Sequence, residues 1–229
     1  MDDYKRLIIS DLHIGTVFSK ETKIKELLFE QDFDELILAG DIIDFIKIPS
    51  FTEESASIFD FLVTQKKKII YIVGNHDIAF KKFIGKTVGG VRFLREYDFE
   101  YCGRKFRIEH GDKYEKGIVQ NEFAMNIIST FVNIFEVTFK LDLTAWWEQK
   151  RNKKRKLIRI WDIIKWNDDA DVFIMGHTHK PEVLIWVDKN ENIKTYVNTG
   201  DWVQNETYVT IKNGEVRLRN YKKINTKYV

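Results

Sequence analysis

The stretch KIIYIVGNHD, residues 68–77, joins an apolar run to a glycine and then to polar side chains. Two earlier stretches are similar: ELILAGDIID at 35–44 has the same order, and RLIISDLH at 6–13 has a serine where the others have the glycine. Helix-like segments at 19–31 and 53–65 separate the three runs. This alternation predicts right-handed strand–helix–strand units and a buried, mostly parallel sheet.

Further short strands are predicted later in the chain from β-favouring runs between turn residues. They lie at 91–101, 105–109, 171–175, 183–187, 193–198, 207–212 and 215–221. The last four are expected to form hairpins in a second sheet, with turns at Asn190–Asn192 and Asn213–Gly214.

The composition is that of a globular protein that buries a substantial core. The chain has 229 residues, of which 44% are hydrophobic, and a net charge of +2, which by itself does not call for nucleic acid. The single cysteine, Cys102, is expected to be structural. The first residues, MDDYKRLIISDLH, contain no basic region or cleavage site, so we expect a cytoplasmic protein.

Residues 113–168 differ in composition from the rest of the chain, with many aromatic side chains and the basic run KRNKKRK at 150–156. We expect a helical cap insertion within a single domain spanning 1–229. One interpretation is a helical pair packed on the core with a solvated basic face. The other is a lid that binds an acyl chain or touches a membrane surface, while its basic edge attracts anionic groups.

Polar residues follow each predicted strand, and ligands bind at this end of open parallel sheets. All five histidines of the chain lie in these stretches, which read SDLH, GDIID, GNHD, EHGD and GHTH. Carboxylate, amide and imidazole groups together suit divalent ions such as Mn²⁺, Fe²⁺, Co²⁺, Ni²⁺ or Zn²⁺. The absence of cysteine from the set argues against a closed structural zinc site.

Seven residues are candidate metal ligands: Asp11, His13, Asp41, Asn75, His110, His177 and His179. Seven are too many for one tetrahedral ion and suit two ions that share a carboxylate. Two ions roughly 3.5–4 Å apart clamp the attacking and leaving oxygens of a phosphoryl ester. The alternative is that these residues are helix caps and turn residues beside the glycines.

The ordered motifs DxH, GDxxD, GNHD, HGD and GHTH, spread over residues 9–202, resemble those of the calcineurin-like metallophosphoesterase superfamily. The resemblance implies an α/β fold: a four-layer αββα sandwich of two mixed β-sheets flanked by helices. It also implies that one ion is held by Asp11, His13, Asp41 and His179, and the other by Asp41, Asn75, His110 and His177.

By the same resemblance, His76 lies near the scissile phosphate as a transition-state stabiliser or proton donor, and Asp77 orients its ring. Mn²⁺ is the expected metal, with Fe, Zn, Ni or Co as alternatives.

Four further residues have both a functional and a purely local interpretation. Asp44 is either a partner of a ligand or an anchor of its own loop. Asp112 either orients His110 or contacts substrate, or it is a turn carboxylate. Asn198 and Asp201, in VNTGDW at 197–202, either support the site or belong to a simple glycine turn.

The resemblance narrows the substrate. Protein phosphatases of the superfamily have Arg-Gly after GDxxD and Glu after GNH, whereas this chain has GDIIDFI and GNHD. SDLHIG, EHGD, the insertion and NTGDW are similar to the UDP-2,3-diacylglucosamine hydrolase-like branch. Enzymes of lipid A synthesis in that branch usually have Arg at the position of His76.

We therefore expect hydrolysis of a phosphodiester or pyrophosphate by a metal-bridging hydroxide, with a lipid-linked nucleotide as one substrate. A general phosphodiesterase or phosphomonoesterase on nucleotides is the first alternative. A nuclease, the second, needs a basic groove for the phosphate backbone. A catalytically silent scaffold would require eroded ligands, and none of the seven is eroded.

Overall fold

A computed structural model of the chain describes residues 3–46, 49–114 and 158–221. The strands are β1 Lys5–Ile9, β2 Glu35–Ala39, β3 Lys68–Ile72, β4 Thr87–Val88, β5 Val91–Leu94, β6 Glu96–Tyr101, β7 Arg104–Glu109, β8 Val172–Met175, β9 Glu182–Val187, β10 Ile193–Asn198, β11 Thr207–Lys212 and β12 Glu215–Asn220. The helices are α1 Glu21–Glu30, α2 Glu53–Thr64 and α3 Ile158–Trp166, with 3₁₀ helices at Ile78–Phe83 and Asp112–Tyr114.

The first sheet has seven strands in the order β12-β11-β1-β2-β3-β5-β4. Its centre, β1-β2-β3-β5, is parallel, as the alternation of apolar runs and helices predicts. Ile8 pairs with Ile37, and Ile37 with Ile70, so the three strands end at one edge of the sheet. The polar residues that follow them are therefore brought together.

The second sheet has five strands in the order β6-β7-β8-β10-β9. Two predictions about it were wrong. The run at 91–101 is two strands, β5 in the first sheet and β6 in the second. The last four strands do not share a sheet, because the β11-β12 hairpin joins the first sheet beside β1. Alternating side chains show that a strand has two faces but do not say which sheet it joins.

Three apolar layers lie between and outside the sheets. The inner core includes Ile37 and Ile70 of the first sheet and Ile108 and Ile174 of the second. α1 and α2 cover the outer face of the first sheet, while Ile164 of α3 packs on the second. The four-layer αββα arrangement of two mixed sheets is thus confirmed.

The predicted insertion at 113–168 lies mostly outside the described residues. Its first residues belong to the 3₁₀ helix Asp112–Tyr114, and α3 lies near its end. None of the helices in the described part of the chain combines the length and apolar character needed to cross a bilayer.

Candidate metal centre

The seven candidate ligands all follow strands whose carboxyl ends meet at one end of the sandwich. Asp11 and His13 follow β1, Asp41 follows β2, Asn75 follows β3, His110 follows β7, and His177 and His179 follow β8. The backbone N–H of His177 donates to both carboxylate oxygens of Asp11, at 3.1 and 3.0 Å. This contact joins the ligand loops of the two sheets directly.

Asp11, His13 and His179 form the first group of converging ligand atoms. Nε2 of His179 lies 3.1 Å from Oδ1 of Asp11 and 3.2 Å from Nε2 of His13. Asp11 is fully buried and His13 nearly so. Two imidazole nitrogens and a carboxylate oxygen therefore point at one small volume.

Asp41, His110 and His177 form the second group. Nε2 of His110 lies 3.0 Å from Oδ2 of Asp41 and 3.1 Å from Oδ1 of Asn75. Nδ1 of the same ring lies 3.1 Å from the carbonyl oxygen of Ala39. When Nδ1–H donates to that carbonyl, the lone pair of Nε2 and the two side-chain oxygens converge, as they would around a metal ion.

The backbone at five of the seven residues adopts the left-handed conformation, which non-glycine residues rarely occupy. The φ angles are 51° at Asp11, 48° at His13, 53° at Asp41, 65° at His177 and 55° at His179. In each of the pairs Asp11/His13 and His177/His179, two such residues flank a single spacer. Backbone strain of this kind concentrates at functional sites, so it supports a functional reading independently of the residue types.

Glycines at the strand ends leave room for the ligands. A Cβ atom at Gly40 would overlap the ring of His110, and one at Gly176 would overlap the carboxylate of Asp11. Gly40 also has a φ of 92°, which favours glycine. These two positions therefore require glycine, because ligand side chains pack directly against the backbone there.

The charges of the site are strongly coupled. Burial alone would raise the pKa of Asp41, but the imidazoles of His110 and His76 outweigh it and hold the pKa well below its ordinary value. Burial would lower the pKa of His110, but Asp41 raises it to about 10. Burial, followed by the charge on His110, lowers the pKa of His177 to about 3. The negative charge of Asp41, which raises the pKa of His110, also attracts a divalent cation.

The donor set fits divalent metal ions. Asp11 and Asp41 are buried carboxylates, and within the described residues their charged partners are imidazoles rather than Lys or Arg. Buried carboxylates need a positive partner, and mixed oxygen and imidazole donors suit first-row divalent ions. The two carboxylates can therefore accept divalent cations in addition to their contacts with the imidazole side chains.

The family model for calcineurin-like phosphoesterases matches residues 4–181, which includes all seven candidate ligands. The chain belongs to the calcineurin-like phosphoesterase family. It is therefore a metal-dependent hydrolase that acts on phosphoester bonds.

Relatives of this phosphoesterase include the UDP-2,3-diacylglucosamine hydrolase of Vibrio cholerae, which is 24% identical over 224 residues, covering 86% of this chain and 90% of the relative. Among solved structures, vacuolar protein sorting 29 from Cryptosporidium parvum matches with a TM-score of 0.49 and 15% identity, covering 94% of this chain and 95% of that one. A novel archaeal phosphodiesterase matches with a TM-score of 0.48 and 18% identity, covering 94% and 98%.

In this phosphoesterase, the carboxylate beside the His76 ring is that of Asp44. Nδ1 of His76 lies 3.0 Å from Oδ1 of Asp44, and Nδ1 of His13 lies 3.4 Å from Oδ2 of the same residue. Oδ1 also accepts the backbone N–H of Ile46 at 3.2 Å. Asp44 is therefore both a partner of the candidate ligand His13 and an anchor of its own loop, which were the two interpretations left open by the sequence.

Asp77 differs from the expectation that it orients His76. Its buried carboxylate accepts hydrogen bonds from the backbone amides of Asp41, Ile42, Ile43 and Gly74, and from the hydroxyl of Tyr71. Burial and the charge of Asp41 raise the pKa of Asp77 to about 6. Although Asp77 is next to His76 in the sequence, its carboxylate points toward the loop after β2. Its hydrogen bonds therefore fix the loop that bears Asp41.

Asp112 pairs with Arg95, a residue that no sequence motif indicated. Both of its carboxylate oxygens accept from Arg95, at 2.7 and 2.6 Å, and Arg95 also donates to the carbonyl of Val73. Nη2 of Arg95 makes both contacts with Asp112 while Nη1 donates to Val73, so Arg95 ties the start of the insertion to the end of β3. The sequence at 91–101 predicts a single strand that contains Arg95. The position of Arg95 between the strands of the two sheets could therefore not be inferred.

Asn198 and Asp201 support the loop that bears His177 and His179. The Asn198 amide donates to the Gly176 carbonyl at 2.8 Å and to Oγ1 of Thr178 at 3.0 Å. Asp201 contacts the amide of Asn205, which in turn donates to the carbonyl of His179 at 2.8 Å. Both residues are buried.

Glu21 is a buried carboxylate that the sequence reasoning missed. Its Oε1 accepts the backbone N–H of Gly15 at 3.0 Å, and its Oε2 accepts from the hydroxyls of Thr52 and Ser55. It thereby links the loop after His13 to the start of α2. A glutamate in the first turn of a helix reads as a solvated helix-terminal charge, so no local signal indicates this role.

Proposed function

We propose that this phosphoesterase uses two divalent ions to hydrolyse a phosphodiester or pyrophosphate bond. The observation that carries the proposal is the pair of ligand groups, one around Asp11 and one around Asp41, at the joined ends of both sheets. His76 lies beside both groups, with its Nε2 4.0 Å from Oδ2 of Asp41 and its ring centroid 4.8 Å from that of His13.

The proposed ligand sets are those that the resemblance implied, with Asp41 shared between the ions and Mn²⁺ as the first metal to test. Such ions supply Lewis-acid stabilisation of the phosphoryl charge and lower the pKa of water. The chain contributes the geometry, because strained loops, glycines and the Asp77 hydrogen bonds fix the ligand positions.

His76 is proposed to hold a proton at Nε2 and to pass it to the leaving oxygen. The carboxylate of Asp44 lies 3.0 Å from Nδ1 of His76 and is proposed to orient the ring. The other ring nitrogen, Nε2, lies 4.0 Å from Oδ2 of Asp41, the carboxylate proposed to be shared by the two ions. Asp44 takes the orienting role that we had expected of Asp77.

The substrate proposal is a lipid-linked nucleotide of the kind named for the Vibrio cholerae relative. In that setting the insertion at 113–168 would be a cap within the single domain and would contact lipid at a membrane surface.

A second candidate is hydrolysis of a nucleotide phosphodiester or phosphomonoester, and the His76–Asp44 pair favours it. An alkoxide leaving group needs a proton, whereas a phosphate leaving group of a pyrophosphate is already stabilised as an anion.

Activity with and without metal tests the proposal. We expect Mn²⁺-dependent hydrolysis of chromogenic mono- or diesters, loss of that activity on chelation, and its return when Mn²⁺ is added back. Activity that survives exhaustive chelation, or no activity with any divalent ion, would contradict a metal-dependent mechanism.

His76→Ala separates the substrate classes. On an alkyl phosphodiester the variant is expected to turn over about a hundredfold more slowly than wild type with unchanged metal content. On a nitrophenyl ester or a nucleotide pyrophosphate the loss is expected to be smaller, because those groups leave without a proton. Equal losses on all three substrates would contradict the role of His76 as a proton donor and would indicate that it only stabilises charge in the transition state.

A further inference from the structure

Three of the four sheet edges in the described part of the chain are protected against pairing with another strand. In the first sheet, β4 is only two residues long, and the exposed side chains of β12 include the ion pair of Glu215 and Arg217. In the second sheet, β6 exposes Glu96, Asp98 and Glu100. Short edges and edge charges are the usual means of preventing edge-to-edge association.

The fourth edge, β9, has none of this protection. Its six residues, EVLIWV, carry one charge, at the first position. Val183, Ile185 and Val187 are 42%, 69% and 64% exposed, and Ile193, which pairs with Val187, is 63% exposed. We call these four side chains the β9 strip. They lie on the same face as Val197, which belongs to the inner core, so the strip continues that core beyond the cover of the first sheet.

The opposite face of β9 is also apolar. Leu184 and Trp186 pack against the small core under α3, where Trp186 meets Trp161 edge to face at 5.9 Å. Within the described residues, β10 is the strand that pairs with β9. The other edge of β9 therefore presents backbone donors and acceptors flanked by apolar side chains on both faces.

We propose that β9 pairs antiparallel with β9 of a second copy of this chain, which joins the two five-stranded sheets across a two-fold axis. Such an axis places the same face of the two sheets on the same side. Odd-numbered residues of one β9 therefore lie opposite odd-numbered residues of the other, and even-numbered opposite even-numbered. Centred on Leu184, the pairing sets Val183 opposite Ile185 of the second copy, and the two β9 strips form one apolar surface.

Charge complementarity identifies a second copy as the occupant. Lys180, which is exposed and also pairs with Glu182 of its own chain at 2.7 Å, precedes β9, and Asp188 follows it. In the pairing centred on Leu184, Lys180 of each copy lies opposite Asp188 of the other, so opposite charges meet at both ends. The sequence of the strand is thus complementary to itself in antiparallel register, both in its apolar centre and at its charged ends.

Sedimentation velocity over a concentration series tests the proposal on the full chain. We expect a dimer with a dissociation constant of about 1–10 µM, because one strand pair with its apolar strip is a small interface. Ile185→Lys is expected to weaken the dimer by at least about tenfold, since it puts a charge from each copy into the apolar centre. Val63→Lys is the matched control, because Val63 is 60% exposed on α2, away from β9, and it should leave the dimer unchanged.

Circular dichroism and phosphoesterase activity check that both variants fold, since neither position belongs to the proposed metal centre. Amide hydrogen exchange of β9 is expected to slow as concentration rises in wild type but not in Ile185→Lys. A wild-type monomer up to about 100 µM overturns the proposal, whether its β9 amides are protected by the same chain or exchange freely. Equal weakening by both lysine variants overturns it too.

Discussion

The two ends of the sandwich both bury carboxylates, but they neutralise them differently. At the end opposite the metal centre, Glu35 is fully buried at the start of β2. Its Oε2 accepts from Nε of Arg6 at 2.8 Å, and its Oε1 accepts from Lys68 and from the hydroxyl of Tyr97, each at 2.9 Å. The guanidinium of Arg6 also lies over the ring of Phe99, 4.3 Å from its centroid. We call these residues the Glu35 cluster.

At the metal-centre end, Asp11 and Asp41 face imidazoles instead. Neutral imidazole offers a lone pair as readily as a proton, so this arrangement accommodates an added cation, whereas the Glu35 cluster already contains its cations. The comparison teaches that burial of a carboxylate does not by itself indicate function. The identity of the groups facing it distinguishes a structural ion pair from a candidate metal site.

The largest expected effect concerns activity. Asp41→Ala removes the carboxylate proposed to be shared by both ions, so kcat/KM should fall on the order of a thousandfold or more, and bound Mn²⁺ should be lost. Glu35→Gln should leave kcat/KM and Mn²⁺ content of the folded protein near those of wild type. Steady-state kinetics and elemental analysis measure both. Loss of metal in Glu35→Gln, or retention of metal in Asp41→Ala, would contradict the assignment of Glu35 to a structural ion pair and of Asp41 to the metal site.

The next effect concerns stability. Glu35→Gln leaves the buried guanidinium of Arg6 without its anion, so the free energy of unfolding should fall by about 3 kcal/mol in urea titration. Glu96→Gln is the matched control. Glu96 is exposed and pairs with Lys113 at 3.3 Å, so its loss should change stability by less than about 1 kcal/mol. Similar small losses for both variants would mean that the Glu35 cluster is not a structural ion pair.

The smallest effect concerns the support of the ligand loop. Asn198→Ala removes the amide that holds Gly176 and Thr178, so Mn²⁺ affinity should fall by about tenfold with the fold retained. Calorimetric titration with Mn²⁺ measures the change. Asn190→Ala, in the exposed turn after β9, is the control and should bind Mn²⁺ as wild type does. An unchanged affinity in Asn198→Ala would show that the loop holds its geometry without this amide.

Most of the strands, the parallel character of the first sheet's centre, and the grouping of polar residues at one end could be predicted, because each rests on a local signal. Apolar runs, the helical segments between them and glycines at the strand ends are visible within about ten residues of sequence. The predicted helices at 19–31 and 53–65 are α1 and α2, and the predicted turns at 190–192 and 213–214 join hairpins. The structure also brings the candidate ligands together at one end.

Tertiary structure alone decided which of the neighbouring carboxylates faces His76. Asp44 and Asp77 lie in equally plausible motifs, and Asp77 is next to His76 in the chain. Its carboxylate nevertheless turns to the loop of Asp41, while Asp44 reaches the ring. The placement of β11 and β12, the pairing of Asp112 with Arg95 and the exposed edge of β9 were decided in the same way. Each depends on the packing of segments far apart in sequence, whereas residue type and spacing carry only local preferences.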